Sequence, residues 1–153
     1  MANALDPAGD LAAFIVAQAA GALSAGNSTF TPLYNASNAN VFASQYLPAV
    51  GGVPVQAVFV MSSGGPEPLK YIGGSNSGSI YYFDMQVRSR WTPEDRWAGQ
   101  DLLRNIRDLL HKNPPAGYWY LSVKQSDPVS IGYDGNQNPE FSINFDLRAS
   151  RNP

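Results

Sequence analysis

Near its middle the chain switches hydrophobic period within a few residues, and that switch narrows the folds open to it. In SIYYFDMQVRSRW, Tyr81, Phe83, Met85, Val87 and Trp91 share one face of an extended strand, while Tyr82, Asp84, Gln86, Arg88 and Arg90 share the other. In TPEDRWAGQDLLRNIRDLLHKNPP, which follows directly, Ala98, Leu102, Ile106, Leu109 and Leu110 recur at helical spacing, opposite Arg96, Asp101, Arg104 and Asp108. Thr92 is placed to cap this helix, with Pro93 in its first position and Asp95 where a capping-box acid belongs. Asn113 and Pro114-Pro115 end it, so the pattern predicts a helix over about 93–112.

The rest of the chain supplies further strands and one more helix. Asp6-Pro7 is a helix start, Leu11, Phe14, Ile15, Gln18 and Ala22 follow at helical spacing, and Gly26 stands where a helix would stop, which predicts a helix over about 7–25. VPVQAVFVMS alternates, with Val55, Ala57, Phe59 and Met61 on one side and Gln56, Val58 and Val60 on the other. Strands are also predicted over about 118–124 and 141–148. In the last, Phe141, Ile143, Phe145 and Leu147 alternate with Ser142, Asn144, Asp146 and Arg148. Residues 27–52 and 62–79 read as long loops rich in Asn, Ser, Gly and Pro, the second holding a brief strand candidate, LKYI. Strands and helices do not alternate as parallel units. The expectation is therefore one α+β domain over 1–153, with a mostly antiparallel or mixed sheet of about four to five strands and two main helices on one face.

Composition excludes several functions. Of 153 residues 44% are hydrophobic and only 14% charged, less than the usual quarter, and a surface so poor in charge suits a partner. With 10 Lys and Arg and a net charge of -2, the chain lacks the basic surface that phosphate-backbone binding requires. It has no cysteine, and hence no disulfide framework, thiolate metal site or cysteine nucleophile. No basic n-region precedes the apolar run LAAFIVAQAAGALSAG, so neither a secretory signal nor a membrane span is expected.

Candidate chemistry fares little better. YDGNQNPEFSINFD spaces Asp134, Asn136 and Asn138 as a calcium loop does, with Glu140 and Asp146 beyond. Pro139 stands where such a loop needs glycine and Phe145 where it needs a bidentate acid, so Tyr133 to Pro139 reads as a turn. The one histidine, His111, falls in the last helical turn with no nucleophile in sight. Glu94 with Asp95, and Asp127 with Asp134, read as cap and turn acids. IGGSNSGS lacks the lysine of a phosphate loop. No catalytic, cofactor-binding or metal residue is assigned, and an enzyme is not expected. The aromatics point elsewhere. Tyr118, Trp119 and Tyr120 stand in a row, as do Tyr81 and Tyr82, and each row puts rings on both faces of its strand, a partner-surface signal on a low-charge sheet.

IYYFDMQVRSRWTPEDRWAGQDLLRNIRDLLH, followed by QSDPVSIGYDGNQNPEFSINFDLRAS, resembles the tail terminator or minor capsid (tail-completion) proteins of tailed bacteriophages. In that family a strand with polar residues like Gln86-Val87-Arg88 runs into a helix with an apolar stripe. A strand, a turn region like Gln125 to Asp134 and a closing strand then follow. The resemblance spans roughly 53–150, outside the 27–52 and 62–79 segments' own details. It implies a virion structural protein, present in host cytoplasm during assembly, that forms a hexameric ring on the tail tube. The implied partners are further copies of the chain, the tail tube protein and the head–tail connector. Sequence-specific nucleic-acid binding and a membrane are not expected, although DNA passes through such rings. Alternatives are a head-completion or neck connector, a tail-tube subunit and, more remotely, a stand-alone ligand-binding module.

Overall fold

The computed structural model describes residues 5–43, 54–73 and 76–151. The chain runs through α1 (Pro7–Ala19), β1 (Leu23–Ala25), β2 (Ser28–Phe30), β3 (Val41–Phe42), β4 (Ala57–Ser62) and β5 (Leu69–Gly73). It continues through β6 (Asn76–Arg90), α2 (Ala98–Leu110), β7 (Tyr120–Val123), β8 (Val129–Tyr133) and β9 (Pro139–Arg151). The fold is α+β, with both helices against one face of a mixed, mainly antiparallel sheet.

β6 and β9 form the spine, paired antiparallel from Ser79↔Arg151 to Arg90↔Glu140. Each carries two short strands end to end along its outer edge. β4 and β5 flank β6, and β7 and β8 flank β9. β3 adds in parallel outside β4. Register sorts the side chains by face. Val58, Val60, Met85, Val87, Phe141, Ile143, Phe145 and Leu147 form one apolar face, and all are buried beneath the helices with Leu11, Ile15, Leu102, Leu103, Ile106 and Leu110. Trp91, fully buried, closes this core beside Phe30 at 6.0 Å between ring centres.

Several elements differ from what the sequence predicts. α1 begins as expected, with Asp6 accepting from the Gly9 N–H at 3.0 Å, but it ends at Ala19 and not near residue 25. Ala20 and Gly21 both have positive φ, which no right-handed helix can continue through. Residues 23–30 instead form the β1–β2 hairpin, whose two-residue turn has Gly26 at φ 59. Within the 27–52 loop, β2 and β3 are strands, and the Asn40 side chain both accepts from Leu33 N–H and donates to Thr31 O. The 44–52 part of that loop lies outside the described residues. In the 62–79 segment the strand candidate LKYI is β5, and with the start of β6 it forms an arm paired from Leu69↔Ile80 to Gly73↔Asn76. Its glycines and serines read as loop because backbone pairing leaves little trace in side-chain pattern.

The helix expected over 93–112 is divided. Pro93–Asp95 is a 3-10 turn in which Thr92 makes no side-chain cap, its carbonyl instead accepting from Asp95 N–H at 3.3 Å. α2 follows, its first intrahelical bond running from Asp101 N–H to Trp97 O. β7 is shorter than 118–124, β9 is longer than 141–148, and β8 lies in a stretch read as turn. The main sheet has seven strands among the described residues, not four to five.

α2 also holds two loops on its polar sides. Asp101 accepts from Gly26 N–H at 2.9 Å and Asn105 donates to Ser24 O at 2.7 Å, which pins the β1–β2 hairpin. One residue round, Gln100 and Arg104 reach Asp127, and Arg107 donates to Ser126 O, which fixes the β7–β8 loop. Gly99 lets the helix lie this close to the sheet. A Cβ there would meet Ser89 Oγ at 3.0 Å and Phe141 and Trp91 at 3.4 Å, while Ser89 Oγ donates to Gly99 O at 2.8 Å. Gly99→Val should therefore cost about 1–3 kcal/mol of unfolding free energy through overpacking, read from urea midpoints. A change below about 0.5 kcal/mol, the level of an ordinary surface substitution, would refute the close fit.

Candidate functional site

The sheet face turned away from the helices carries a ladder of polar side chains in cross-strand rows. At one end Arg148 of β9 lies between Tyr82 of β6 and Tyr120 of β7, its register partners, with its guanidinium 5.1 and 4.3 Å from their ring centres. The next row sets Asp84 directly opposite Asp146, a like-charge pairing that is unfavourable alone. Each is answered by its own cation: Lys124 pairs with Asp84, and Arg148 donates to Asp146 at 2.8 Å. Gln86 then donates to Asn144 at 3.2 Å and accepts from Arg88 at 2.6 Å. Such partly exposed pairs contribute little stability singly, about 0–1 kcal/mol, but they fix which side chains face outward.

At the far end the face dips into a depression of about 320 Å³ lined by Phe59, Met61, Arg88, Arg90, Asp134 and Glu140. Arg90 is buried at its floor. It donates to Val55 O and Pro54 O at 3.1 and 2.9 Å, lies 3.7 Å from Asp134 Oδ2, and stacks 5.5 Å from the Phe59 ring centre.

Asp134 is the anchor of the turn beside this depression. Oδ1 accepts from the N–H groups of Asn136 and Asn138 at 2.8 and 2.9 Å, and Oδ2 accepts from Asn138 Nδ2 at 2.9 Å. Both oxygens are thus engaged by a turn's own donors, an Asx arrangement. Burial pushes this carboxyl up, but the Asn138 and Asn136 hydrogen bonds and the Arg90 charge together bring it below its ordinary value. Glu140 moves the other way, raised first by burial and then by the Asp134 charge.

The other sequence candidates are separate from one another. His111 is exposed and accepts from Val123 N–H at Nδ1, 3.2 Å away, so it tethers the edge of β7. Asp127 is held by Arg104 in a two-pronged contact of 2.6 and 2.9 Å that lowers its carboxyl. Glu94 is exposed in the 3-10 turn. Tyr118 is buried, donating to Asp10 at 2.7 Å; burial and then that hydrogen bond raise its hydroxyl well above the ordinary value. Trp119 is 48% exposed.

What the sequence reading missed is the free edge of β8. Val129, Ile131 and Tyr133 are 49, 42 and 55% exposed. Trp97, 57% exposed, lies against Phe141, whose ring it meets at 6.4 Å and whose register partner is Ser130 of β8. The signal was present as period-two spacing in VSIGY, diluted by Ser130 and Gly132 and broken by a register shift between them.

No protein-family model matches the chain, and no curated protein matches it. Among solved structures it is similar to a chain in the virion of a native gene transfer agent particle, at 13% identity and a TM-score of 0.48, over 73% of this chain and 79% of that one. At that score the likeness fixes neither the fold nor a role.

The two carboxyls predict opposite pH behaviour. Asp134's contribution is present above the ordinary aspartate value of 3.8 and is lost as pH falls through its lowered folded value. Glu140's is present below 4.5 and is lost as pH rises through its raised folded value. Glu140→Gln should therefore gain on the wild type in melting temperature as pH climbs from about 4 to 7, and a constant difference would contradict this. Asp134→Ala should cost about 1–2 kcal/mol at neutral pH through lost turn hydrogen bonds, with no calcium-dependent melting shift to lose.

Proposed function

We propose that the chain is a structural subunit of a tailed-phage-like virion, a tail terminator or tail-completion protein that works by assembly and not by catalysis. The observation that carries this is the β8 edge, a strand without charge or proline whose Val129, Ile131 and Tyr133 are exposed. Edges of that kind invite another chain. The polar groups support the same reading from the opposite side. Asp134, Asp127 and His111 are each engaged with backbone or side-chain partners, and no nucleophile lies within the pairings they make. The sequence resemblance supplies the place of action: a ring, hexameric in that family, set between the tail tube and the head connector.

Purified protein should form closed rings, alone or on meeting tail tubes, measured by light scattering on a sizing column and by native mass spectrometry. Added to polymerising tube protein, it should stop growth and cap one end. Self-polymerisation into open filaments would favour a tube subunit instead. A strict monomer that leaves tube length unchanged would defeat the assembly reading.

A further inference from the structure

We infer that successive copies of this chain join edge to edge, β8 of one copy pairing antiparallel with β5 of the next. The inference rests on the ring reading above and names the strands that close the ring. Among the described residues β5 pairs only with β6, and β8 only with β9. They sit on opposite sides of the spine and at opposite ends of it: β5 pairs Asn76–Ile80, and β8 pairs Pro139–Ser142. Each leaves a row of backbone donors and acceptors whose natural complement is another strand.

Exposure marks the same two strands. Of the seven large apolar side chains exposed in the described residues, Val129, Ile131 and Tyr133 lie on β8 and Leu69 lies on β5. Monomeric proteins usually guard such edges with charge, proline or a covering element. VSIGY has neither charge nor proline.

Strand direction identifies the occupant. β5 is antiparallel to β6, β6 to β9 and β9 to β8, so β5 and β8 run in opposite directions. A second copy added in the same orientation presents its β5 antiparallel to β8, the stronger form of pairing. Both strands are five residues long. The two surfaces differ, so the contact is heterologous and can repeat from copy to copy, as the ring reading requires, whereas a two-fold contact would stop at a dimer. A β8–β8 contact would also bring Asp127 and Asp134, which bracket the strand, toward their counterparts. β5 brings the exposed Lys70 instead.

The test uses Ile131→Asp and Leu69→Asp made separately in the full chain. Both positions are exposed, so far-UV circular dichroism should match the wild type. Sizing with light scattering should find wild-type rings, each variant alone as a monomer, and an equimolar mixture as a dimer, because one intact β8–β5 pair survives in each mixed complex. If Leu69→Asp assembles normally while Ile131→Asp does not, a two-fold β8 contact replaces the proposal. If both variants build wild-type rings, the ring reading stands and the edge assignment falls. A wild type that stays monomeric even with tail tubes overturns both. A Leu69→Cys, Ile131→Cys double variant, in a chain with no native cysteine, gives a second readout that needs no destabilising charge. A short bis-maleimide should link it into covalent multimers, and assembled but unlinked subunits would also overturn the pairing.

Discussion

The β6–β9 pairing is the constraint from which the remaining structure hangs. Four short strands take their register from it, and none of them pairs with another element long enough to stand alone, since an isolated two-stranded unit is marginal in water. The same register decides which residues meet the helices. A slip by one residue would turn Val87 and Ile143 outward and bring Arg88 and Ser142 into the core. The alternating pattern of both strands therefore specifies the pairing as strongly as the backbone bonds do.

α2 translates that sheet into a larger object. Its apolar stripe docks on β6 and β9, and its two polar flanks hold the β1–β2 hairpin and the β7–β8 loop. The loop grip matters beyond stability. By fixing Asp127 and Ser126 it sets where β8 starts, and so where the open apolar edge is presented. In the edge-to-edge pairing proposed above, such an edge is better held before a second copy arrives, since ordering it on contact would weaken binding.

Much of this was legible in the sequence, and the misses share a cause. The faces of β6 and β9 follow from period-two alternation between apolar and mainly polar residues, whereas β4 is apolar and buried on both sides and its strand shows as alternating β-branched and larger side chains. The stripe of α2 follows from its helical spacing. The end of α1 was missed because Ala20 adopts a left-handed conformation that its side chain does not announce. β8 was missed, and β5 was legible only as the brief candidate LKYI, because edge strands lack the buried side that makes a pattern visible. The candidate surface was legible only as an unplaced surplus of aromatic and apolar residues. Val129 and Tyr133 take their places on it from pairings with Ser142 and Pro139 that no local window contains.

The spine also has a consequence in time. β6 and β9 are separated in sequence by α2, β7 and β8, so their pairing closes a long loop and belongs to the slow, non-local kind of folding. Until β9 arrives, β6 is bordered on one side only. Its outward residues, Asp84, Gln86, Arg88 and Arg90, then act as gatekeepers, keeping the longest strand of the nascent domain from pairing with a foreign one. The polar ladder that shapes the finished surface is thus also a safeguard during folding.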